Sequence, residues 1–349
     1  MVLAPIAVAL GIAAVVLAAP VLAAAAVVDL VLRRPFATTR LVAVALIHMV
    51  FEAVGVVCLT GLWLAGVGAG GVRAARAQSW HHAFLRWWLG SLIGVTGRLV
   101  GIRVEIEARQ EPKPGPVLVF SRHAGPWDSF LLAYALVGGY RRRPRIVMKD
   151  AMQWSPVVDL IGNRLPNRFI RVGRGDRDAI VSAIKDLARD LGDHDALILF
   201  PEGGNFSARR RLAAISRLVR EGHHEHAREA EMITNLIAPR PGGVLAAMRG
   251  APDADVVFVA HTGLEPLASL GELWRRVPLR RALVGRYWRV PPNEIPPDES
   301  ARVDWLFGWW ERIDTWIDAH RLEEPRPAPA RPPSGGEPVA VDGSIDRER

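Results

Sequence analysis

Pro116-Val117-Leu118-Val119-Phe120-Ser121-Arg122-His123-Ala124-Gly125-Pro126-Trp127-Asp128 is the stretch whose reading decides the fold. Val117–Phe120 is a short apolar run with Pro/Gly punctuation around it, the pattern of a buried strand. The apolar run Ser129–Tyr134 that follows reads as a helix, with Asp128 near its start. A histidine therefore leaves the end of a strand, and an acid sits at the mouth of the next helix. One turn of chain between them lets the carboxylate reach the imidazole. An imidazole held in this way is a competent general base for an alcohol. No serine or cysteine is an obvious nucleophile here, so the attacking hydroxyl is expected from a substrate. Taken alone, the spacing is better read as a loop histidine and a helix-capping aspartate, because such spacing is common by accident. The rest of the chain decides.

Downstream, strands and helices alternate. Ile102–Glu107 alternates apolar and polar residues, as a half-exposed strand does. Arg145–Met148, Arg168–Ile170, Ala196–Phe200, Asp255–Ala260 and an edge strand over Ala282–Val290 follow. Helices fill Ser129–Val137, Asp176–Leu191, Ala208–Glu221 and Gly243–Arg249, and an amphipathic helix over 300–321 packs on the core. This alternation predicts a layered α/β domain. Phe200-Pro201-Glu202-Gly203-Gly204-Asn205 follows the strongest strand. Pro201 and Gly203 force a turn at the strand's carboxyl end, where ligands bind in open α/β sheets. Glu202 is held at that edge, with backbone N–H groups beside it and Arg209, Arg210 and Arg211 close behind. A carboxylate can grip a hydroxyl, and N–H groups and arginines can grip phosphate.

Upstream the chain is of another kind. Residues 2–32 and 41–70 are almost wholly apolar, and each exceeds the roughly 18–20 residues that a membrane helix needs. Arg33, Arg34 and Arg40 lie between them. A signal peptide would carry a basic start, which the first run lacks. Basic residues prefer the cytoplasm, and Arg73, Arg76, Arg86 and Arg98 follow the second run. Two full spans would put the two basic groups on opposite faces. A hairpin held in one leaflet, or one full span with the second run partly buried, removes the conflict. Trp80, Phe84, Trp87 and Trp88 mark an interfacial helix. The expected division is a membrane hairpin over 1–75, an interfacial helix over 76–100, a catalytic domain over 101–324 and a disordered tail over 325–349.

The chain has 349 residues and a net charge of +8. The positive side is nearly all arginine, which suits phosphate and carboxylate. Twelve tryptophans and the apolar content favour a membrane partner over nucleic acid. No recognition helix, zinc pattern or aromatic-interleaved basic strand is present to support nucleic-acid binding. The single cysteine, Cys58, excludes an intrachain disulfide and a cysteine zinc site. His223, His224 and His226 read as a solvated helix face rather than a metal site, and Lys149 as a surface lysine.

Taken in order, the two blocks resemble the PlsC-like glycerolipid acyltransferase superfamily. His123 and Asp128 match its His-x-x-x-x-Asp motif, and Phe200 to Gly203 match the start of its Phe-Pro-Glu-Gly-Thr-Arg motif. Gly162 to Val172 resembles the segment between them, and Val257 to Ala260 an apolar fourth motif. Leu236-Ile237-Ala238-Pro239-Arg240-Pro241-Gly242-Gly243 resembles the branch that acylates lysophosphatidate in eukaryotes. The likeness covers roughly residues 80–320. It implies a layered αβα domain with a mixed central sheet behind the membrane hairpin. It also implies transfer of an acyl chain from acyl-CoA or acyl-carrier protein to the sn-2 hydroxyl of 1-acyl-glycerol-3-phosphate, giving phosphatidic acid, with no cofactor and no metal. The protein would sit at the cell membrane with its catalytic domain on the cytoplasmic face. In this reading His123 is the base and Asp128 its orienting acid. Pro201 and Glu202 hold the glycerol side, the Gly203 N–H meets a phosphate, and Arg171 holds the headgroup. The motif's Thr-Arg is Gly204-Asn205 here, so Arg209 or a neighbour takes the place of its arginine. In the middle segment Arg171 or Arg174 does the same. Another lysophospholipid or a glycolipid as acceptor, or a non-catalytic lipid-binding protein, are the alternatives.

Overall fold

The protein is described from a computed structural model covering residues 3–107, 113–125, 127–171, 177–263, 270–279 and 282–320. Arg174 and the expected tail lie outside them. Helices α1 (Leu3–Val31) and α2 (Ala37–Gly68) pack as a hairpin, and both are long and apolar enough to cross a membrane. Buried Asp29 closes the hairpin. Its carboxylate accepts the Thr38 N–H at 3.0 Å, and the Thr39 N–H and hydroxyl each at 2.8 Å. These bonds satisfy N–H groups that the first turn of α2 would leave unmet.

Helix α3 (Ala75–Val100) is only partly interfacial in character. Trp87 is exposed, but Trp88 is buried and donates its indole N–H to Phe51 O of α2 at 3.0 Å. One of the four rings expected at the headgroups thus fastens α3 to the hairpin instead.

The sheet has seven strands in the order β1-β7-β6-β2-β5-β3-β4. They are β1 (Arg103–Glu107), β2 (Val117–Ser121), β3 (Arg143–Lys149), β4 (Arg168–Ile170), β5 (Asp195–Leu199), β6 (Asp255–Thr262) and β7 (Ala282–Val290). From β6 to β4 all neighbours are parallel, and β7 runs antiparallel to β6. The sheet is therefore mixed. Strand β2 is wholly buried and β5 nearly so, which explains their unbroken apolar runs. The edge position expected for Ala282–Val290 is a correction. Strand β7 lies second from the edge, because β1 pairs with it in parallel from Ala282 to Arg286. The alternating, exposed β1 is the edge instead.

The connecting helices are α4 (Asp128–Tyr134), which continues as a π-turn, α5 (Pro156–Arg164), α6 (Arg177–Ala188), α7 (Ala208–Arg220), α8 (His224–Met232), α9 (Pro241–Gly250), α10 (Leu270–Arg276) and α11 (Glu299–His320). Helix α11 buries Leu306, Trp310, Ile313 and Ile317 in the main core with Phe120 and Phe258. Helix α5 has no counterpart in the sequence reading. It docks on α2: Glu52 of α2 accepts the Ser155 hydroxyl at 2.7 Å and the Val157 N–H at 3.1 Å. Arg164, at the far end of α5, donates to Leu59 O at 2.5 Å.

Candidate active site

The site forms where β2 and β5 end side by side. Both strands point the same way, so the chain leaving β2 at Arg122 and the chain leaving β5 at Phe200 emerge at one edge. Phe206 N–H donates to His123 O at 2.7 Å, and the His123 ring stacks on Phe200 with centroids 4.3 Å apart. The turn after β5 thus wraps the histidine on two sides.

His123 Nδ1 lies 3.2 Å from Asp128 Oδ2. The same oxygen accepts the Gly125 N–H at 2.8 Å, and His261 Nε2 of β6 stands 3.7 Å from it. Asp128 is almost fully buried at the first turn of α4. Burial works to raise its carboxyl. The His123 hydrogen bond, the charge of His261 and the Gly125 N–H outweigh burial and hold it below the ordinary carboxylate range. An ionised acid on Nδ1 selects the tautomer that carries its proton there, leaving Nε2 as the basic atom. His123 lines a cavity of about 600 Å³.

Glu202 occupies a different place from the one expected. It is 2 % exposed and absent from the cavity wall. One carboxyl oxygen accepts the His123 N–H at 2.7 Å and the other the Ile237 N–H at 3.0 Å. It therefore staples the histidine loop to the segment before α9 and orients no glycerol. Burial raises its carboxyl to about 8, against the two N–H groups and the Arg122 charge that lower it. The Gly203 N–H is also taken, donating to Phe200 O at 3.0 Å. It is not open to a phosphate. Gly203 has φ of +74°, the left-handed conformation that suits glycine. Pro201, buried, lines the cavity beside it.

The two arginines expected at the headgroup lie elsewhere. Arg171 is 86 % exposed and pairs with Asp150 at 3.3 Å, outside the cavity. Arg209 is exposed on the first turn of α7 and also outside it. The arginines on the wall are Arg217 of α7 and Arg240, just before α9. Arg240 falls in the Pro-Arg-Pro-Gly-Gly segment already singled out, so a signal existed, but only the fold brings it to Gly203. Lys149 lines the same cavity at the end of β3.

Beyond His123 the cavity is apolar, walled by α3, α4, α5, α6, β3 and β5. The sheet opens to admit it. Strand β3 pairs with β5 only as far as Ile146–Ile198, and from Val147 onward it pairs with β4. Among the described residues no cluster of three or more His, Cys, Asp or Glu side chains is placed to hold a metal. His226 bonds Asp304 at 3.0 Å and stacks on Phe307.

No curated protein sequence matches the chain. A crystal structure of PlsC, the 1-acyl-sn-glycerophosphate (LPA) acyltransferase from Thermotoga maritima, aligns with a TM-score of 0.48 at 14 % identity. The alignment covers 82 % of this chain and 99 % of that one, a likeness too distant to carry an inference. The family model described as Acyltransferase matches residues 102–259, which hold His123, Asp128, the Pro-Glu-Gly turn and Arg240. Over that stretch the chain is similar to the acyltransferase family.

Proposed function

We propose that the protein transfers an acyl chain from a thioester donor, acyl-CoA or acyl-carrier protein, to the free hydroxyl of 1-acyl-glycerol-3-phosphate. The observation that carries this is the His123–Asp128 pair, 3.2 Å apart, at the mouth of a long apolar cavity. In this reading His123 Nε2 takes the hydroxyl proton as the oxygen attacks the thioester carbonyl. Asp128 holds the ring and stabilises the imidazolium, a contribution of about 10²–10⁴ in rate. The proton then passes to the departing thiolate. Acyl carbons fit the apolar chamber, where Trp88, Leu89, Phe130, Ile161 and Leu165 offer them a dry wall. Glu202 acts through the loop, by fixing the His123 backbone. The chain's own residues supply each of these roles.

The same reading places the protein in one leaflet of a membrane, with the catalytic domain on the cytoplasmic side. Helix α2 touches the rest of the protein along most of its length. Thr38 accepts from Trp274 at 2.9 Å, Arg40 donates to Leu99 O at 2.7 Å, and Phe51, Glu52 and Leu59 make the contacts given above. From Thr38 to Leu59 is about 32 Å of helix at 1.5 Å per residue. That equals the roughly 30 Å hydrocarbon core. A full span would drag α5, α10 and the flank of the sheet into the lipid. A hairpin lying in one leaflet leaves them at the surface. It also keeps Arg33, Arg34 and Arg40 on the same face as Arg73 and Arg76. Arg34 already lies on the Trp274 ring, 3.6 Å from its centroid.

The test is an assay with labelled acyl-CoA and lysophosphatidate, wild type beside His123→Ala. Transfer by the wild type and its loss in a folded variant is the expected result. Retention of most activity by the variant refutes the base assignment.

A further inference from the structure

The resembled motif ends in Thr-Arg where this chain has Gly204-Asn205, and both expected substitutes, Arg171 and Arg209, lie off the cavity. Two other arginines reach it. Arg240 is fixed by its backbone N–H, which donates to Pro201 O at 2.8 Å. Its Nε, Cδ and Cζ lie 3.1, 3.2 and 3.4 Å from where a Cβ on Gly203 would stand. The guanidinium therefore covers the left-handed turn, and the missing side chain is what lets it settle there.

Arg217 arrives from further along α7. Its side chain is 17 % exposed, and its Nε and Nη2 are buried without a hydrogen-bond partner. The nearest acid, Glu221 Oε2, stands 3.7 Å from Nη1 and leaves those two donors unmet. A buried guanidinium with unmet donors is costly, and such groups are kept where something supplies acceptors. Among the described residues the N–H groups of Gly204 and Asn205, on the same wall, also make no hydrogen bond within the protein.

We propose that Arg217 and Arg240 hold the phosphate monoester of the lipid acceptor against the Gly204–Asn205 turn. The identity of the ligand rests on the acyl-transfer reading; the existence of an anion site does not. A phosphate dianion presents three oxygens, enough to meet two guanidinium forks and the turn's N–H groups. Phosphates also occur on coenzyme A, but there the pantetheine arm separates them from the thioester. In a lysophosphatidate only the glycerol carbons lie between phosphate and hydroxyl. A phosphate held beside the wall that carries His123 therefore belongs to the acceptor. The resembled motif's arginine is replaced by two that enter the site from other elements.

The experiment uses the full chain in detergent and measures KM for acyl-CoA and for lysophosphatidate. A second acceptor, monoacylglycerol, offers a hydroxyl without phosphate. Arg217→Met and Arg240→Gln should each raise KM for lysophosphatidate about 10- to 100-fold, the weight of a charged hydrogen bond. KM for acyl-CoA should stay within about twofold, since that site is untouched. The preference for lysophosphatidate over monoacylglycerol should narrow, and Arg217→Lys should recover part of the loss. A rise in the acyl-CoA KM alone assigns the site to the donor and overturns the proposal, as does no change in either. Should the wild type acylate neither acceptor, the acyl-transfer reading fails on its own. Calorimetry with inorganic phosphate then decides the anion site. Binding that Arg217→Met abolishes upholds it, and absent or equal binding overturns it.

Discussion

The two wings of the sheet on either side of β2 are built from similarly apolar sequence, yet one is filled and the other is hollow. On the β6–β7 side, Phe258 stacks on Trp309 with centroids 4.4 Å apart and meets Trp305 edge-on at 5.2 Å, and Trp310 is fully buried beneath. On the β5–β3 side the strands present Ile, Leu, Val and Met, and with Trp88 and Phe130 of the covering helices they enclose a cavity of about 600 Å³. Hydrophobicity alone does not separate the wings. The filled one has rings large enough to meet across the gap, whereas the hollow one splits its sheet at Ile146–Ile198 and sends β3 away to β4. Close packing is the rule inside proteins, so a large apolar void beside a histidine marks space kept for a ligand.

Substitutions can break this contrast. Asp128→Asn, on the hollow side, should lower kcat by about 10²–10⁴ by leaving the imidazole in the wrong tautomer. Its melting temperature should change little beside that loss, and a matching collapse of the fold would show the pair to be structural. Trp310→Ala, on the filled side, should cost about 3–5 kcal/mol of stability, the range for emptying a buried aromatic site. Denaturant titration checks this, and a mild effect would mean that the filled wing is loosely packed.

Glu202 lies on the seam between the wings. Its carboxyl stands at about 8 when folded against an ordinary value of 4.5. The folded state therefore keeps a proton that the unfolded chain releases within that window. Stability from this group is complete below 4.5, falls as pH rises towards 8 and then levels off. Melting temperature followed across that range should show the decline in the wild type, and Glu202→Gln should flatten it. An identical slope in both would remove Glu202 as its source.

The finest test of the hollow wing is to fill it. Ala133, buried on the wall, can become Phe, with the ring entering the cavity and so avoiding the roughly 1–3 kcal/mol that added bulk costs in a packed core. Donor preference should then move to shorter acyl chains in a competition assay. An unchanged preference would place the acyl chain elsewhere.

Much of this was legible along the chain. Seven strands, the His123–Asp128 pair and the Pro-Glu-Gly turn stand where local pattern puts them, because each depends on contiguous residues. Long-range pairing was harder to read. Strand β7 looks like an edge because its partner β1 precedes it by more than 170 positions. Glu202 sits in a readable turn, but the direction of its side chain depends on Ile237, which another connection brings in. Arg171 and Arg209 lie beside the right motifs in sequence and point away in space. Arg217 and Arg240 are remote from those motifs in sequence and line the cavity. Helix α5 went unread although Ser155 caps it and Pro156 opens it; what the sequence does not show is its docking on Glu52, a carboxylate on a helix that looks like lipid anchor alone.

That last contact changes what the N-terminal hairpin means to anyone shortening the chain. Val56 and Leu59 of α2 share one core with Trp88, Val157 and Ile161. Cutting away residues 1–68 to obtain a soluble fragment would bare the outer faces of α3 and α5, two of the helices that wall the cavity, and remove the carboxylate that accepts from Ser155 and Val157. Such a fragment should clump and lose transfer, even though its histidine and aspartate are intact.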